Sequence, residues 1–462
     1  MSNPSHRPHN RVALIILAVA LLGGAVLRFD AAPRLFSATT YAGGDVSRYY
    51  VSTAESFLAG EGWTPSYESN YIPPPLQSVF IVAMKLVFPG GDYGTLRYAQ
   101  AVLSVVTIGL VFLVGCLMSG RLTGALAALL IAIDPDAIGY AGSLLAENNY
   151  FFLLFLFLAV LLRALLKDGL ILSGLSGVLL GLTSLMKPFP MLLVGLIPVW
   201  LVCRYRDRRH ALLAFAMAGA FVLVVYPWTI RNVVKYGALY PISTNSGILL
   251  AQSNFSRLNP ADEKMLYWDD IYKTDLWQDK TIDERFRGRV DKYGKAEWNL
   301  KDRAYRDHAF GYIARNPVHF LRNYGIKIYN VFRYPASEVE APYRYTGLGS
   351  NWPFPAFRHV LVLVGLAGAV MFGIRTWRKP EFVMIVVLLY YVAFTALLHI
   401  TKSGRMNLPM KLLLNLFAAY LLSILLQLVM DRFAFRARVP KRQSVSSIRL
   451  DSSSATQGDD GQ

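Results

Sequence analysis

The sequence has little charge and almost no cysteine. Charged residues make up 17% of its 462 residues, against about 25% in ordinary soluble proteins, while 54% of the residues are hydrophobic. That balance excludes an intrinsically disordered chain. The two cysteines, Cys116 and Cys203, lie in apolar runs without metal-ligand spacing, which excludes a disulfide framework. Such a composition is typical of a polytopic membrane protein.

Apolar runs of membrane-spanning length recur along the chain. A helix needs about 20 mostly apolar residues to cross a bilayer, with a range of about 17–25. We therefore expect a mainly α, polytopic helical membrane protein with about 10 transmembrane helices. The expected spans are Val12–Leu27, Leu96–Met118, Leu122–Ala141, Tyr150–Leu166, Leu170–Met186, Pro190–Val202, Ala211–Trp228, Phe357–Ile374, Phe382–Ile400 and Leu408–Met430.

Basic residues between these spans favour one orientation. With a cytoplasmic N-terminus, the short inner segments include Arg204–Arg209, Arg375–Lys379 and the tail from Arg432, and all of them are basic. The positive-inside rule places such segments in the cytoplasm. We therefore expect both termini inside. Most of the formal net charge of +17 then reflects membrane orientation, and no nucleic-acid partner is expected.

The spans divide the chain into six expected parts. Surface helices are expected in the first outer loop, around Val46–Ala59 and at Leu76–Val87. The parts are an N-terminal tail and first helix (1–28), the first outer loop (29–95), helices two to seven (96–228), a small extracytoplasmic soluble domain of mixed fold (229–356), the last three helices (357–430) and a cytoplasmic tail expected to be disordered (431–462).

Charged side chains occur in four separate outer turns of this topology. A charge at the bilayer centre costs at least about 2.5–3.5 kcal/mol, so charges that recur at one face indicate a site built from loops. These residues are Asp45, then Asp134, Asp136 and Glu147, then Lys187, and finally Arg405.

Each of these charges also has a local interpretation. Asp45 and Glu147 would each suit a helix N-terminus. For Asp134 and Asp136, which flank a helix-breaking Pro135, local structure is the better interpretation. The two basic residues would suit the ends of spans, where long side chains reach the interface. Only the coincidence of these residues at one face favours function.

Two sequence blocks carry a family resemblance. The first outer loop holds Asp45, Tyr49, Ala54, Phe57-Leu58, Gly60, Gly62 and Pro74-Pro75-Leu76. The second block is Pro227-Trp228-Thr229-Ile230-Arg231-Asn232, followed by Gly237 and Pro241-Ile242-Ser243-Thr244-Asn245-Ser246-Gly247. Weaker matches are Glu147, Lys187-Pro188, Arg405 and Pro409.

With these blocks the chain resembles the C-type membrane glycosyltransferases. The similar branch holds the dolichyl-phosphate-mannose–protein mannosyltransferases and the bacterial aminoarabinose transferases of lipid A. Three positions depart from the family pattern: Pro73 replaces a basic residue, Val46 an acidic one and Asn407 a second arginine.

The resemblance implies transfer of a hexose or pentose from a polyprenyl-phosphate carrier, with inversion at the anomeric carbon. It makes Asp45 the candidate base and Glu147 a residue that orients the acceptor. Donor-phosphate contacts are expected from Lys187, Arg405 and Arg48. Acceptor contacts are expected from Tyr49, Arg231, Asn232, Thr244 and Asn245.

The same resemblance leaves several points open. No cofactor is required, although Asp45 and Glu147 would be the ligands if a divalent metal takes part. The acceptor is a lipid, a glycan or a protein. The expected location is the bacterial cytoplasmic membrane, with the site on the periplasmic side and membrane lipids as neighbours. A secondary transporter and a non-catalytic scaffold with an outer binding domain are the alternatives.

Overall fold

The computed structural model describes residues 7–35, 46–63, 72–237, 239–255, 259, 261, 298–333, 354–398 and 404–438. Within these residues the regular structure is helical throughout, so the prediction of a helical membrane protein is confirmed. Residues Met1–Ser423 form one compact unit, and Ile424–Gln462 form a second unit. The described part of the second unit is the end of the last helix.

The helices are numbered in chain order, with a π-helical turn at Val46–Val51 and a 3₁₀ turn at Pro380–Phe382. They are α1 (Arg7–Leu35), α2 (Ser52–Leu58), α3 (Leu76–Val87), α4 (Tyr93–Ser119), α5 (Arg121–Ala132), α6 (Pro135–Ala141), α7 (Ala146–Lys167), α8 (Leu170–Met186), α9 (Leu193–Tyr205), α10 (Arg208–Tyr236), α11 (Ser246–Ser253), α12 (Trp298–Arg315), α13 (Pro317–Arg333), α14 (Phe354–Thr376), α15 (Val383–Leu398) and α16 (Gly404–Arg438).

Membrane-length helices dominate the described residues. By length and composition seven of them could cross a membrane, and the bent pair α5–α6 would make eight. The chain is thus an integral membrane protein. The predicted count of ten also includes α8 and α9, which are apolar but have only 17 and 13 residues. The total of ten and the orientation of the termini stay predictions.

Helix α1 continues past the predicted end at Leu27 because its next residue, Arg28, is satisfied inside the protein. The side chain is fully buried. Its guanidinium donates to Ser104 Oγ at 2.7 Å and to the carbonyl oxygens of Ile131 and Ala132 at 3.0 and 2.9 Å. These carbonyls lie in the last turn of α5, where helical carbonyls lack intrahelical partners. Arg28 therefore stabilises the C-terminal end of α5 through hydrogen bonds to its last carbonyls.

The span predicted at Leu122–Ala141 is two helices, α5 and α6, bent by 63° at the break. Asp134 begins α6, and its Oδ1 accepts from the amides of Asp136 and Ala137 at 3.0 and 3.1 Å. Pro135 follows at the first helical position, where a missing N–H costs nothing. The local interpretation of Asp134 is therefore confirmed.

The membrane helices pack through small residues as well as through branched apolar ones. Helix α8 lies so close to α10 that a Cβ on Gly177 would stand 2.1 Å from the carbonyl oxygen of Met217. Without a hydrophobic force between lipid-exposed helices, such close backbone approach supplies the packing energy. Helices α4, α5, α7 and α1 pack on one another and complete this bundle.

Helices are present at both positions where surface helices of the first outer loop are predicted, and their place at a membrane surface stays a prediction. Helix α3 has the predicted bounds, and a π-helical turn followed by α2 covers the other segment. Ile72, just before α3, exchanges two hydrogen bonds with Thr244, one through the threonine hydroxyl and one through its amide. The two sequence blocks that carry the family resemblance therefore meet in space.

The segment 229–356 is helical in its described part, and its predicted outer location and mixed fold stay predictions. Helix α11 is held at both ends by charged side chains. Asp302 of α12 accepts from the amides of Gly247 and Ile248 at its N-terminus, and Lys327 of α13 donates to the carbonyl of Ser253 at its C-terminus. These signs complement the helix dipole. Burial raises the pKa of Asp302 to about 6 and lowers the pKa of Lys327 to about 7.

We predict that Gly247→Ala separates α11 from α12. The added Cβ would stand 1.9 Å from the carbonyl oxygen of Asp302, so both backbone bonds to the Asp302 carboxylate must lengthen. The expected loss is at least about 2 kcal/mol of stability, read as a lower thermal midpoint of the purified protein in detergent. Gly325→Ala is the matched control, because a Cβ there meets no atom within 4 Å. An equal effect of both changes would contradict the packing described.

Candidate active site

A buried ion pair lies where α7 begins and α8 ends. Glu147 stands in the first turn of α7, and Lys187 follows α8 directly. The ammonium of Lys187 lies 2.7 Å from Glu147 Oε1, and the carboxylate side chain is 1% exposed. The Lys187 ammonium also lies 5.5 Å from the ring centre of Phe189. The structure thus joins two residues that the sequence placed in different outer turns.

A network of buried amide side chains fixes the start of α7. Gln77 of α3 donates to the carbonyl of Leu144 at 2.7 Å and accepts from Asn149 at 2.9 Å. Gln100 of α4 accepts from the amide of Leu144 at 2.9 Å. Leu144 has a φ of 59°, a conformation that costs an L-residue energy and needs such support. Side chains of two helices, α3 and α4, therefore hold the turn that leads to Glu147.

We predict that Gln77→Leu loosens this turn. The change leaves the Leu144 carbonyl and the Asn149 amide buried without these partners, which costs about 1–3 kcal/mol per group. The thermal midpoint should fall clearly below that of wild type. Lys85→Gln on the same helix is the control, since its contact with Glu55 is exposed and worth about 1 kcal/mol at most. A midpoint unchanged in Gln77→Leu would contradict the role of the network.

A second charged cluster lies at the α5–α6 break, where Asp134 and Asp136 meet two cations that were absent from the sequence prediction. The Lys411 ammonium of α16 lies 2.8 Å from Asp134 Oδ2 and 2.5 Å from Asp136 Oδ2. Arg358 of α14 reaches Asp136 Oδ1 at 3.4 Å. All four side chains are less than one-tenth exposed. A small cavity beside them is also lined by Leu130, Ile133, Pro135, Phe357, Leu361, Val362 and Asn415.

The second sequence block forms a clasp at the C-terminal end of α10. Arg231 packs its guanidinium 4.6 Å from the ring centre of Trp228 and donates to the carbonyl of Trp63 at 2.6 Å. Asn232 donates to the carbonyl of Tyr240 at 2.9 Å and is fully buried. Thr244 is fully buried against Ile72. These three predicted acceptor residues thus connect segments that lie far apart in the sequence.

For each of the remaining predicted site residues, the structure gives a position in the chain or an exposure. Asp45, the predicted base, lies outside the described residues, one position before the π-helical turn. Within that turn Arg48 is exposed and Tyr49 is half-buried. Asn245 directly precedes α11. Arg405 lies in the first turn of α16, and its side chain is outside the described part. Their predicted roles stay predictions.

The described residues do not form a ready site for a divalent metal. Among them no three His, Cys, Asp or Glu side chains lie close enough to hold an ion. Glu147 instead contacts an ammonium, as do Asp134 and Asp136. A cation beside a carboxylate competes with metal binding there. We therefore derive no step of the reaction through a metal.

Comparison with known proteins gives structural similarity without sequence similarity. No protein-family model and no curated protein sequence matches the chain. The Archaeoglobus fulgidus oligosaccharyltransferase tethered to an acceptor peptide matches over 92% of this chain, with a TM-score of 0.56 and 17% identity. The oligosaccharyltransferase AglB from Archaeoglobus fulgidus, in complex with an inhibitory peptide and a dolichol-phosphate, matches over 95% of this chain, with a TM-score of 0.55 and 16% identity.

These matches show the fold. The chain spans about half the length of the oligosaccharyltransferase, 50% and 53% in the two structures. A third structure, ArnT from Cupriavidus metallidurans bound to undecaprenyl phosphate, is similar at a TM-score of 0.40 and 15% identity, over 89% of this chain and 77% of that one. The fold expected from the sequence resemblance is therefore confirmed as one that this chain shares with an oligosaccharyltransferase.

Proposed function

We propose that the chain is an inverting glycosyltransferase. It moves a sugar from a polyprenyl-phosphate donor to an acceptor on the extracytoplasmic face of its membrane. The observation that carries the proposal is the fold, shared over 92% of the chain with an oligosaccharyltransferase. That relative has been captured with an acceptor peptide and with dolichol-phosphate. Buried charged residues at the helix ends of this chain support a site that handles a charged group.

The reaction is one displacement at the anomeric carbon. The oxygen of an acceptor hydroxyl attacks that carbon, and the bond from the carbon to the phosphate oxygen breaks. The Asp45 carboxylate takes the hydroxyl proton as the new bond forms, because a neutral hydroxyl is a poor nucleophile. The bonding electrons leave with the phosphate, which remains on the lipid. Attack opposite to the leaving group inverts the anomeric centre.

Lys187 is the proposed contact for the departing phosphate, with Arg48 and Arg405 as further cations. Its 2.7 Å contact to Glu147 holds the ammonium in place before the donor arrives. A phosphate oxygen would then share the ammonium with the Glu147 carboxylate. Fixed cations stabilise the charge that grows on a leaving group without having to reorganise during the reaction. Glu147 is then placed to orient the acceptor.

The acceptor is proposed to bind beside the clasp of Arg231, Asn232 and Thr244. Because Asn232 and Thr244 are fully buried and hydrogen-bonded, we assign them the task of shaping this region. Tyr49 and Asn245, which are both half-buried, are the better candidates for direct contact. The identity of the acceptor among lipids, glycans and proteins follows from experiment.

The proposed location is a bacterial cytoplasmic membrane, with the site on the periplasmic face. Mass spectrometry of lipids, glycans and proteins from cells with and without the gene tests function and acceptor together. The expected result is one product that lacks a sugar and a lipid-linked sugar that accumulates. Identical profiles in the two strains under expressing conditions would contradict the proposal.

A further inference from the structure

Helix α13 buries two polar side chains beside Val331 and turns several large apolar side chains outward. Asn323 and Lys327 are only 7% and 2% exposed. On the opposite side Val318, Leu321 and Tyr329 are 79%, 63% and 61% exposed. An amphipathic helix at a water-facing surface has the reverse arrangement, with its apolar stripe toward the core. This arrangement suits a helix whose outward side meets an apolar medium.

The inward polar side of α13 is satisfied by the protein itself, so this orientation is specific. The ammonium of Lys327 donates to the carbonyl of Ser253 at 3.0 Å and to Asn254 Oδ1 at 3.1 Å. His319 contacts the hydroxyl of Tyr312 and the side-chain amide of Asn323. A rotation that buried the apolar face would break these contacts and leave a buried ammonium unpaired.

The neighbour of α13 shows where this apolar medium lies. Helix α13 packs against α15, whose span Pro380–Leu398 is apolar and long enough to cross a membrane. Tyr324 of α13 donates to the carbonyl of Ala393 at 3.0 Å. That carbonyl lies five residues before the end of α15, or about 7.5 Å along the helix axis. The contact thus lies below the end of a membrane-length helix.

Arginines border the apolar face along one edge. Arg322 and Arg333 are exposed and lie 11 positions apart, so both fall at one margin of the face, next to Tyr329. Guanidinium groups bind phosphate oxygens through paired hydrogen bonds. An exposed apolar stripe with arginine at its edge is the pattern of helices that lie in the membrane interface.

We propose that α13 is an interfacial membrane helix. Its occupant is the phospholipid of the outer leaflet, with Val318, Leu321 and Tyr329 among the acyl chains and Arg322 and Arg333 at the lipid phosphates. This part of the segment predicted as a soluble domain then lies in the membrane surface. Through Lys327 it also holds the C-terminus of α11, which links lipid contact to the outer clasp.

Fluorescence quenching by spin-labelled lipid tests the proposal on the full chain. In a variant with Cys116 and Cys203 replaced by alanine, the environment-sensitive dye NBD is attached at Leu321→Cys and, separately, at Val318→Cys. Asp307→Cys on α12, whose side chain is 66% exposed, is the matched control. The protein is placed in nanodiscs of phosphatidylcholine and phosphatidylglycerol, with or without a lipid labelled near its headgroup.

Quenching at positions 318 and 321 should exceed quenching at 307 by about threefold or more, since interfacial helices sit about 5–10 Å into the leaflet. The emission at 318 and 321 should also be shifted to shorter wavelength. Quenching at these two positions no stronger than at 307 would overturn the proposal. That result would mean that this face of α13 is exposed to water in the purified protein and is free to bind a protein partner. The two reporter positions guard against a failure of either variant to fold.

Discussion

Asp45→Asn is expected to abolish sugar transfer while the protein still inserts and folds. Loss of a general base removes about 10²- to 10⁴-fold of rate, and asparagine has nearly the same size without the ability to take a proton. The measurement is transfer of a radiolabelled sugar from polyprenyl phosphate in membranes that contain equal amounts of each variant. Folding is checked by size-exclusion chromatography in detergent.

The matched control is Glu61→Gln, which removes a carboxylate from an exposed position in the same outer segment. We expect its transfer rate to stay within about twofold of wild type, because surface changes away from the site have small effects. Full activity of Asp45→Asn would show that another group takes the proton. Equal loss in both variants would instead indicate a general need for negative charge in the segment.

Lys411→Met is expected to be the most destabilising single change in the membrane bundle. It leaves Asp134 and Asp136, which are 4% and 1% exposed in their side chains, without their shared ammonium. Removal of one partner from a buried ion pair costs about 3–5 kcal/mol. The expected result is a large fall in the thermal midpoint and a low yield of monodisperse protein.

A second substitution should reverse most of this loss. In Lys411→Met combined with Asp134→Asn, the asparagine oxygen can still accept from the amides of Asp136 and Ala137, and Asp136 keeps Arg358. The cluster then holds balanced charges again. If the double variant is no more stable than Lys411→Met, the Asp134–Lys411 contact is not the cause of the destabilisation.

Apolar length and turn residues made much of the fold predictable. Helix α3 has its predicted bounds, and Pro135 was recognised as a helix-breaking residue within the single span predicted at Leu122–Ala141. The ends of α1 and α10 were placed too early. In α1 a buried arginine finds its hydrogen-bond partners on other helices, and such long-range compensation leaves no local mark in a sequence.

The sequence predicted which charged residues belong to the candidate site. It only partly predicted the ion pairs that these residues form. Glu147 and Lys187 were expected at one face, and their 2.7 Å contact shows that they meet. The partners of Asp134 and Asp136 were missed because Lys411 and Arg358 lie more than 200 residues further along the chain. One signal was present: Lys411 is a charge within a predicted span, and such residues seldom occur without a partner or a function.

The most direct test of the account is a coupled assay with the purified protein in proteoliposomes. The substrates are a polyprenyl-phosphate sugar and the acceptor identified by mass spectrometry, and the release of polyprenyl phosphate and the gain of sugar by the acceptor are followed together. The account predicts one lipid phosphate released for each sugar transferred, with inversion at the anomeric carbon. Transport of the donor across the membrane without transfer, or product with retained configuration, would contradict it.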